Sequence, residues 1–378
     1  MKVGILADRL NRPRTGIGNY TYNLIKELDS IDPIQNEIFL INYELNDLFP
    51  NLNKIIVPNP LKNIIEKSFY IWHLYLQSKL KKTNFGIDII HSPENATPFL
   101  KIKPKKIITV HDITPFLFPG SFSSLTLFRY RLLFRRTLKT ADKIISDSYN
   151  TKRDLINYFN VPDEKISVVH LGIDEKFRVL DVNTVDRIRE KYSLNYPFIL
   201  YVGTLEPRKN IPTLIKAFCE IKNKNSIHKL VIAGKKGWKY KDIFNMIDEL
   251  HLRDEIIFTD YVPYEDLPGL YNAADLFVYP SLYEGFGFPP LEAMACGCPV
   301  ITSNSSSLPE VVGDAGLMFD PYNYLELKLK ICDILTNSHL RDDLVKKGLK
   351  RVADFSWNKC SRETIKIYQE VYCQKNII

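Results

Sequence analysis

Short apolar runs alternate with helix-length segments along this chain of 378 residues, and this alternation restricts the fold more than any other feature. Strands that alternate with helices predict parallel sheets, because each right-handed helical crossover returns the chain to the same end of the sheet. The predicted strands are 2–7, 37–41, 54–58, 87–92, 106–112, 143–148 and 165–171, then 198–203, 229–234, 255–260, 276–280 and 298–303. Helices are predicted at 17–30, 64–82, 122–141 and 150–159. We predict an α/β chain with two doubly wound parallel sheets.

The length of the chain exceeds that of one typical core, so two domains are expected. The boundary is predicted near 170–177, a polar, glycine-containing segment that follows the last strand of the first block. The first domain is accordingly 1–175, and the second begins at 176. Ligands of such sheets bind beyond the carboxyl ends of the strands, so functional residues are expected in the loops that follow them.

Composition places the chain among ordinary globular proteins, with 45% apolar and 25% charged residues. No run of about 20 apolar residues occurs, so no transmembrane span is expected. The start of the chain, MKVGILADRL, enters a strand directly and lacks the long apolar region of a signal peptide, so a cytoplasmic location is expected. The six cysteines show neither zinc-finger spacing nor a CxxC pair.

The positive charge is concentrated in the first half of the chain. Residues 1–180 carry 26 Lys and Arg against 18 Asp and Glu, whereas residues 181–378 carry 25 against 26. An anionic membrane or a phosphate-bearing acceptor is therefore an expected partner of the first half, and nucleic acid is not expected because no binding motif accompanies the charge. The segment 128–136, FRYRLLFRR, is either a membrane-surface face or a set of solvated arginines with buried stems.

The segment EGFGFPPLE, 284–292, holds the strongest functional pattern. Gly285 and Gly287 let a backbone approach a ligand closely, and a turn that opens a helix offers amide groups to an anion. Glu284 and Glu292 bracket this turn, and the second is predicted in the first turn of the helix, where it can accept hydrogen bonds from vicinal hydroxyls. A phosphate held between two hydroxyl-bearing groups describes a nucleotide-sugar.

This segment, with its continuation from Ala273 to Pro321, closely resembles the nucleotide-sugar signature of retaining glycosyltransferases of family 4. The resemblance extends over nearly the whole chain and implies the GT-B fold, in which two Rossmann-like domains face a central cleft. It also implies that the last helix, 361–378, returns to the first domain, which leaves 176–360 as the nucleotide-sugar-binding domain. Within the family, the segment is most similar to bacterial mannosyltransferases of O-antigen, capsule or exopolysaccharide synthesis.

The resemblance also assigns residues in the first domain. The glycine loop TGIGNY places Gly16 and Gly18 over the donor, although the dinucleotide pattern GxGxxG is not completed. His111, in TVHDITP, is the expected catalytic contact to the transferred sugar, and the following Asp112 is expected to cap the next segment. His91 and Glu94, in HSPENATP, are candidate acceptor contacts.

In the second domain, VGTLEPRKNI provides Arg208 and Lys209, two cations that can neutralise a diphosphate leaving group. Relatives carry a Gly-Arg ahead of the lysine, whereas Thr204 stands here, so Arg208 is the expected substitute. The catalytic set is therefore His111, Glu284, Arg208 and Lys209. The donor-binding set in this domain lies on loops that follow strands, except for Glu292 in the helix that one such loop opens. It comprises Gly203, Gly234, Val262, Gly285, Phe286, Gly287, Phe288 and Glu292.

The family implies transfer with retention of anomeric configuration, for which front-face substitution is favoured because no carboxylate stands out as a nucleophile, Glu94 being the nearest candidate. No Asp-x-Asp pair occurs, so a reaction without metal or other cofactor is expected. The expected donor is GDP-mannose, with a UDP-sugar as the alternative, and the expected acceptor is a glycan or a lipid-linked glycan. A GT-B enzyme of other chemistry and a non-catalytic nucleotide-sugar-binding subunit remain as rival hypotheses.

Overall fold

The computed structural model describes residues 1–11, 16–31, 37–42, 44, 48–57, 75–79, 86–95, 102–122, 124–222 and 226–375. The described chain divides into two compact units. Unit 1 is Met1–Gly172 together with the chain from Trp357 onward, and unit 2 is Ile173–Ser356. These divisions lie a few residues before the predicted ones, 175/176 and 360/361.

Unit 1 contains a seven-stranded sheet in the order β3-β2-β1-β4-β5-β6-β7, in which every described pairing is parallel. Its strands are β1 (Lys2–Leu6), β2 (Glu37–Asn42), β3 (Asn53–Ile56), β4 (Ile89–Ser92), β5 (Lys105–Val110), β6 (Lys143–Ser146) and β7 (Ile166–Val168). Its helices include α1 (Gly16–Ser30), α2 (Thr114–Leu117), α3 (Ser124–Thr140) and α4 (Tyr149–Phe159). The strand order reverses between β1 and β4, which makes this point the topological switch point of the sheet.

Unit 2 contains a six-stranded parallel sheet in the order β10-β9-β8-β11-β12-β13, with its switch point between β8 and β11. The strands are β8 (Phe198–Val202), β9 (Lys229–Ala233), β10 (Ile256–Asp260), β11 (Leu276–Tyr279), β12 (Val300–Ser303) and β13 (Leu317–Phe319). The helices are α5 (Val182–Lys191), α6 (Ile211–Lys222), α7 (Lys241–Glu249), α8 (Leu267–Ala273), α9 (Phe288–Ala295), α10 (Leu308–Val312), α11 (Tyr324–Thr336) and α12 (Ser338–Val352).

The central strands of both sheets are buried on both faces, which explains their continuous apolar runs. The final helix, α13 (Trp357–Lys375), belongs to unit 1 and packs against α1, where the rings of Tyr20 and Trp357 lie 6.2 Å apart. This agrees with the predicted return of the last helix to the first domain.

The predicted strands are confirmed to within about two residues at most ends, and the predicted helices 17–30, 122–141 and 150–159 correspond to α1, α3 and α4. Strand β13, a three-residue edge strand that pairs with β12, was not predicted. Apart from 75–79, which is helical, the predicted helix 64–82 lies outside the described residues.

Candidate functional site

The switch point of unit 2 brings together the charged residues that follow β8 and β11. Arg208 and Lys209 lie in a short 3₁₀ turn, Pro207–Lys209, after β8, and Glu284 lies in the loop between β11 and α9. Lys209 Nζ donates to Glu284 Oε1 at 2.7 Å, and Arg208 Nη1 lies 2.9 Å from Glu284 Oε2. Each carboxylate oxygen of Glu284 therefore meets one cation.

The cluster is nearly closed to solvent, since the side chain of Glu284 is only 12% exposed. Burial by itself raises the pKa of Glu284, but Lys209 and Arg208 outweigh it and lower the pKa to about 2. Burial lowers the pKa of the Lys209 ammonium despite its contact with Glu284, whereas Glu284 raises the pKa of Arg208. The two cations predicted to meet a diphosphate are thus held in place by a buried carboxylate.

Sequence reasoning missed the hydroxyl groups that support this cluster. Tyr279 accepts a hydrogen bond from Lys209 Nζ at 2.6 Å and donates to Glu284 Oε1 at 3.0 Å. Ser281 also donates to Glu284 Oε1. The Glu284 backbone is fixed in turn, because its N–H donates to Ser306 Oγ at 2.8 Å and its carbonyl accepts from Ser307 Oγ at 2.9 Å. All four lie in the signature segment Ala273–Pro321, but the sequence analysis assigned no role to any of them.

The glycine turn before α9 has the backbone geometry that its sequence predicts. Gly287 adopts a φ of +120°, and a Cβ there would lie 2.9 Å from Leu308 Cδ2. Phe288 begins α9, and two prolines follow it without N–H groups. Amide donors toward an anion can therefore come only from Phe288 and from the turn before it. Phe286 is buried and packs edge-on against Phe288.

Glu292 is the fifth residue of α9, which corrects its predicted place in the first turn. Its side chain is buried and accepts a hydrogen bond from Tyr271 Oη at 2.9 Å. Burial raises the pKa of Glu292 to about 7, in spite of the Tyr271 hydrogen bond, which lowers it. The two carboxylates of the motif therefore differ. Glu292 has a pKa near neutral pH, whereas Glu284 is ionised and paired with two cations.

Other predicted donor residues have backbone roles in unit 2. Gly234 follows β9, and a Cβ there would lie 1.9 Å from the carbonyl oxygen of Gly203, so glycine is required where the loops after β8 and β9 meet. Gly203 itself has a φ of +156°. Val262, after β10, is buried.

In unit 1, His111 follows β5 and forms a pair that the sequence did not reveal. Its Nδ1 lies 2.5 Å from Asp147 Oδ2, just after β6, and its Nε2 lies 3.1 Å from the carbonyl oxygen of Pro93. Burial acts to lower the pKa of His111, but Asp147 and the carbonyl contact raise it overall. Because both partners are acceptors, an imidazolium satisfies them together. Among the described residues, Asp147 Oδ1 has no hydrogen-bond partner.

His91 is a structural residue of the unit 1 core, which corrects its prediction as an acceptor contact. It is fully buried on β4, its Nδ1 contacts Tyr368 Oη at 2.7 Å, and its Nε2 contacts Thr109 Oγ1 at 2.8 Å. Burial lowers the pKa of His91 to about 3, so the ring is neutral. Both ring nitrogens are engaged inside unit 1, and the network ties β4 and β5 to α13.

Glu94 is paired with Arg9, a residue that sequence reasoning missed. Arg9 follows β1, Glu94 follows β4, and the guanidinium meets both carboxylate oxygens, with Nη2 at 2.9 Å from Oε2. This pair lies at the switch point of unit 1. Asp112 accepts from the N–H of Thr114, the first residue of α2, at 2.8 Å, although the N-cap position itself is Ile113. Gly16 and Gly18 begin α1, and a Cβ at either would meet no described atom within 4 Å.

Within the described part of the chain, no group of three or more His, Cys, Asp or Glu side chains has an arrangement that could hold a metal ion. Among the same residues, no helix combines the length and the apolar content needed to cross a membrane.

Two family profiles match the chain and follow its division into units. Glycosyltransferase Family 4 matches residues 14–177, and Glycosyl transferases group 1 matches residues 184–351. O-antigen chain mannosyltransferase B of Escherichia coli is 30% identical over 98% of this chain and 100% of its own length.

Solved structures share the fold at lower sequence identity. Sucrose-phosphate synthase from Thermosynechococcus elongatus has a TM-score of 0.78 at 20% identity and covers 99% of both chains. HepE from Anabaena, in complex with UDP and glucose, has a TM-score of 0.76 at 18% identity, covering 98% of this chain and 100% of its own.

These matches define a GT-B glycosyltransferase by fold. The chain belongs to the group 1 glycosyltransferases of family 4, and its relatives include O-antigen mannosyltransferases.

Proposed function

We propose that this protein is a retaining, metal-independent hexosyltransferase that uses a nucleotide diphospho-sugar, with GDP-mannose as the favoured donor. The observation that carries the proposal is the cluster of Arg208, Lys209 and Glu284 at the switch point of unit 2, beside the glycine turn that opens α9. Ligands of open parallel sheets bind at such points. Mannose is favoured because the full-length relative at 30% identity is named a mannosyltransferase.

In this proposal the diphosphate displaces Glu284 from part of its contact with the two cations. Arg208 supplies a planar fork and Lys209 a point charge, and amides of Gly285–Phe288 supply hydrogen bonds. These groups stabilise the negative charge that develops on the leaving group. Glu284 orients the sugar through a hydroxyl, and Glu292 accepts hydrogen bonds from the ribose.

Retention is proposed to occur by front-face substitution. The bond between the anomeric carbon and the phosphate oxygen breaks as the acceptor oxygen bonds to the same face, and the departing phosphate takes the acceptor proton. A double displacement would need a carboxylate free to attack the sugar. The bidentate contact of Glu94 with Arg9 argues against that residue as the nucleophile.

Unit 1 is proposed to bind the acceptor, a glycan or a lipid-linked glycan of bacterial surface polysaccharide synthesis. His111 is proposed as its catalytic residue. Asp147 favours the protonated ring, and the Nε2–H is proposed to exchange the Pro93 carbonyl oxygen for a hydroxyl of the transferred sugar. Gly16 and Gly18, where a Cβ would meet none of the described atoms within 4 Å, are proposed to let the donor approach the start of α1, and Glu94 with Arg9 is proposed to border the acceptor.

Calorimetric titration with GDP, UDP, ADP, dTDP and their sugars in EDTA tests the donor assignment. We expect GDP-mannose to bind without added metal and Lys209→Ala to weaken that binding, with Lys216→Ala, an exposed lysine on α6, as the control. Binding of a UDP-sugar alone would replace the favoured donor by its alternative. Binding that requires magnesium would contradict metal independence.

Product analysis separates the proposed transferase from the rival functions. Transfer of mannose with the α-configuration of the donor retained supports the proposal, and an inverted product contradicts it. Binding of the donor without turnover, using the full chain and a range of glycan acceptors, would favour a nucleotide-sugar-binding subunit.

A further inference from the structure

Helix α3 of unit 1 exposes a face that is apolar at one end and basic at the other. Leu125, Phe128 and Leu132 are 58%, 67% and 63% exposed, and their spacing of three and four residues places them on one side of the helix. The opposite side carries Phe134, which is fully buried. Exposed apolar side chains are common singly, but three on one helical face form a patch that a partner can cover.

The same face becomes basic toward the end of the helix. Arg135, Arg136 and Lys139 continue the stripe, following Leu132 at helical spacing, and the first two are exposed like Lys139. The sequence of α3 contains four arginines, one lysine and no acidic residue. A helix of this composition, with its apolar stripe outward, is typical of helices that lie at the surface of an anionic membrane.

A pocket of about 380 Å³ opens beside this basic end. Three cations line it, namely Arg135, Lys139 and Lys165. Its apolar walls include Phe159 at the end of α4, with Val161 and Pro162 just after it. Lys165 Nζ donates to the carbonyl oxygen of Leu138 at 2.7 Å, which holds the pocket against the end of α3. The Arg135 guanidinium lies 5.6 Å from the centre of the Phe159 ring.

The acidic side chains around this pocket are paired with other lysines. Asp142, whose charge acts on Lys165, lies 3.2 Å from Lys106 Nζ, and Asp163 lies 2.9 Å from Lys152 Nζ, while Glu164 follows it at the surface. The pocket therefore has a positive charge, with apolar walls below the cations. This combination suits a phosphate group attached to an apolar body.

We propose that the exposed face of α3 docks on an anionic lipid surface and that the pocket at its basic end takes the phosphate of a lipid headgroup. The apolar and basic residues from Leu125 to Lys139 extend over about 20 Å along one face, so they can meet the same plane. The inference deepens the lipid-linked part of the proposed function, because it places the protein at the surface where such an acceptor would lie.

Vesicle sedimentation tests the electrostatic part. We expect the full chain to bind vesicles of phosphatidylcholine with phosphatidylglycerol, and not vesicles of phosphatidylcholine alone, with weaker binding as salt rises. Arg135→Gln with Lys139→Gln should weaken the partition coefficient roughly 30-fold, which corresponds to about 2 kcal/mol for two cations near such a surface. The matched control is Lys346→Gln with Lys350→Gln, two exposed lysines four residues apart on α12, and it should bind like the unaltered chain.

The apolar part has its own matched pair. Phe128→Gln with Leu132→Gln should weaken vesicle binding at least tenfold, whereas Leu325→Gln with Leu329→Gln, exposed at the same spacing on α11, should leave it unchanged. Circular dichroism of each variant establishes that the fold persists. Equal losses in variant and control would overturn the assignment to α3.

Other occupants give different outcomes, and each overturns the proposal. Binding of inorganic phosphate or glycerol phosphate in solution, without vesicle binding, would assign the pocket to a free anion. A dimer in sedimentation velocity that Phe128→Gln with Leu132→Gln dissociates, again without vesicle binding, would assign the face to a second copy of this chain. Vesicle binding is measured without a donor sugar, so failure of the proposed transferase function does not affect its result.

Discussion

The two sheets place an arginine–glutamate pair at the same topological position, but they surround it differently. In unit 1, Arg9 follows β1 and meets Glu94 after β4. In unit 2, Arg208 follows β8 and meets Glu284 after β11. The pair in unit 2 is joined by Lys209, a second cation that burial makes easier to deprotonate.

The switch point of each sheet therefore brings an arginine and a glutamate together, and the additional groups in unit 2 give that pair its capacity to bind an anion. The carboxylate of Glu284 accepts hydrogen bonds from the hydroxyl groups of Tyr279 and Ser281, and Lys209 donates to the same Tyr279 hydroxyl. Protein groups therefore take the place of water around the Lys209–Glu284 pair. Because two cations, Arg208 and Lys209, share the single carboxylate of Glu284, a diphosphate can replace part of the carboxylate's contact with them. The simpler pair in unit 1 is better suited to joining two loops.

The largest expected effect is the loss of Lys209. Lys209→Ala should lower kcat/KM for sugar transfer roughly 100- to 1000-fold, because one preorganised donor to the developing charge is removed. Steady-state kinetics with the donor identified by calorimetry measures it. Lys216→Ala should have no effect, and a loss of less than about tenfold in Lys209→Ala would remove the proposed distinction between the two switch points.

Arg9→Ala should act on stability more than on donor binding. It leaves the buried Glu94 carboxylate without its main cation, which typically costs about 3 kcal/mol. Urea denaturation measures the change, and Arg153→Ala, an exposed arginine on α4, is the control. Combining Arg9→Ala with Glu94→Leu should recover much of the loss. Loss of GDP-mannose affinity with unchanged stability would show that the unit 1 pair also contacts donor.

Glu292 gives a pH-dependent effect of intermediate size. Its pKa is about 7 in the folded chain and about 4.3 when unfolded, so folding takes up a proton between these values. Its contribution to stability is therefore greatest below about pH 4.3 and is lost as the pH rises to about 7, by about 4 kcal/mol at most over the whole range.

Urea denaturation of Glu292→Gln at pH 5 and pH 8 checks this sign. The variant should lose less stability than the unaltered chain between the two values, and Glu249→Gln, an exposed glutamate at the end of α7, should not differ from the unaltered chain. An equal loss in Glu292→Gln would mean that the pKa of Glu292 is not raised.

Asp147→Asn is expected to have the smallest effect. It removes one charge-assisted hydrogen bond from His111, worth about 1.5 kcal/mol, so kcat/KM should fall about tenfold. The pKa of His111, followed by NMR, should fall in the same variant, and Asp163→Asn, an exposed aspartate, is the control. If the pKa of His111 falls as expected but the activity does not change, Asp147 has a role in the fold of unit 1 rather than in the reaction.

The amino-acid sequence by itself determined the sheets and the loops that follow their strands. Continuous apolar runs such as 198–203 predicted β8 because a strand buried on both faces needs apolar residues throughout. The turn before α9 was predicted from its glycines, because only glycine readily adopts a φ such as that of Gly287. In both cases the residue types of one short segment are enough to indicate its burial or its backbone conformation.

Only the tertiary structure decided which charged and polar groups meet. Lys209 and Glu284 are 75 residues apart in sequence, Arg9 and Glu94 are 85 apart, and no local pattern specifies either pair. The order of strands in each sheet brings their loops together, and it arises from the packing of many residues at once. The surroundings then give two histidines different protonation states. Burial lowers the pKa of His91, so its ring is neutral, whereas Asp147 raises the pKa of His111 and favours its charged form.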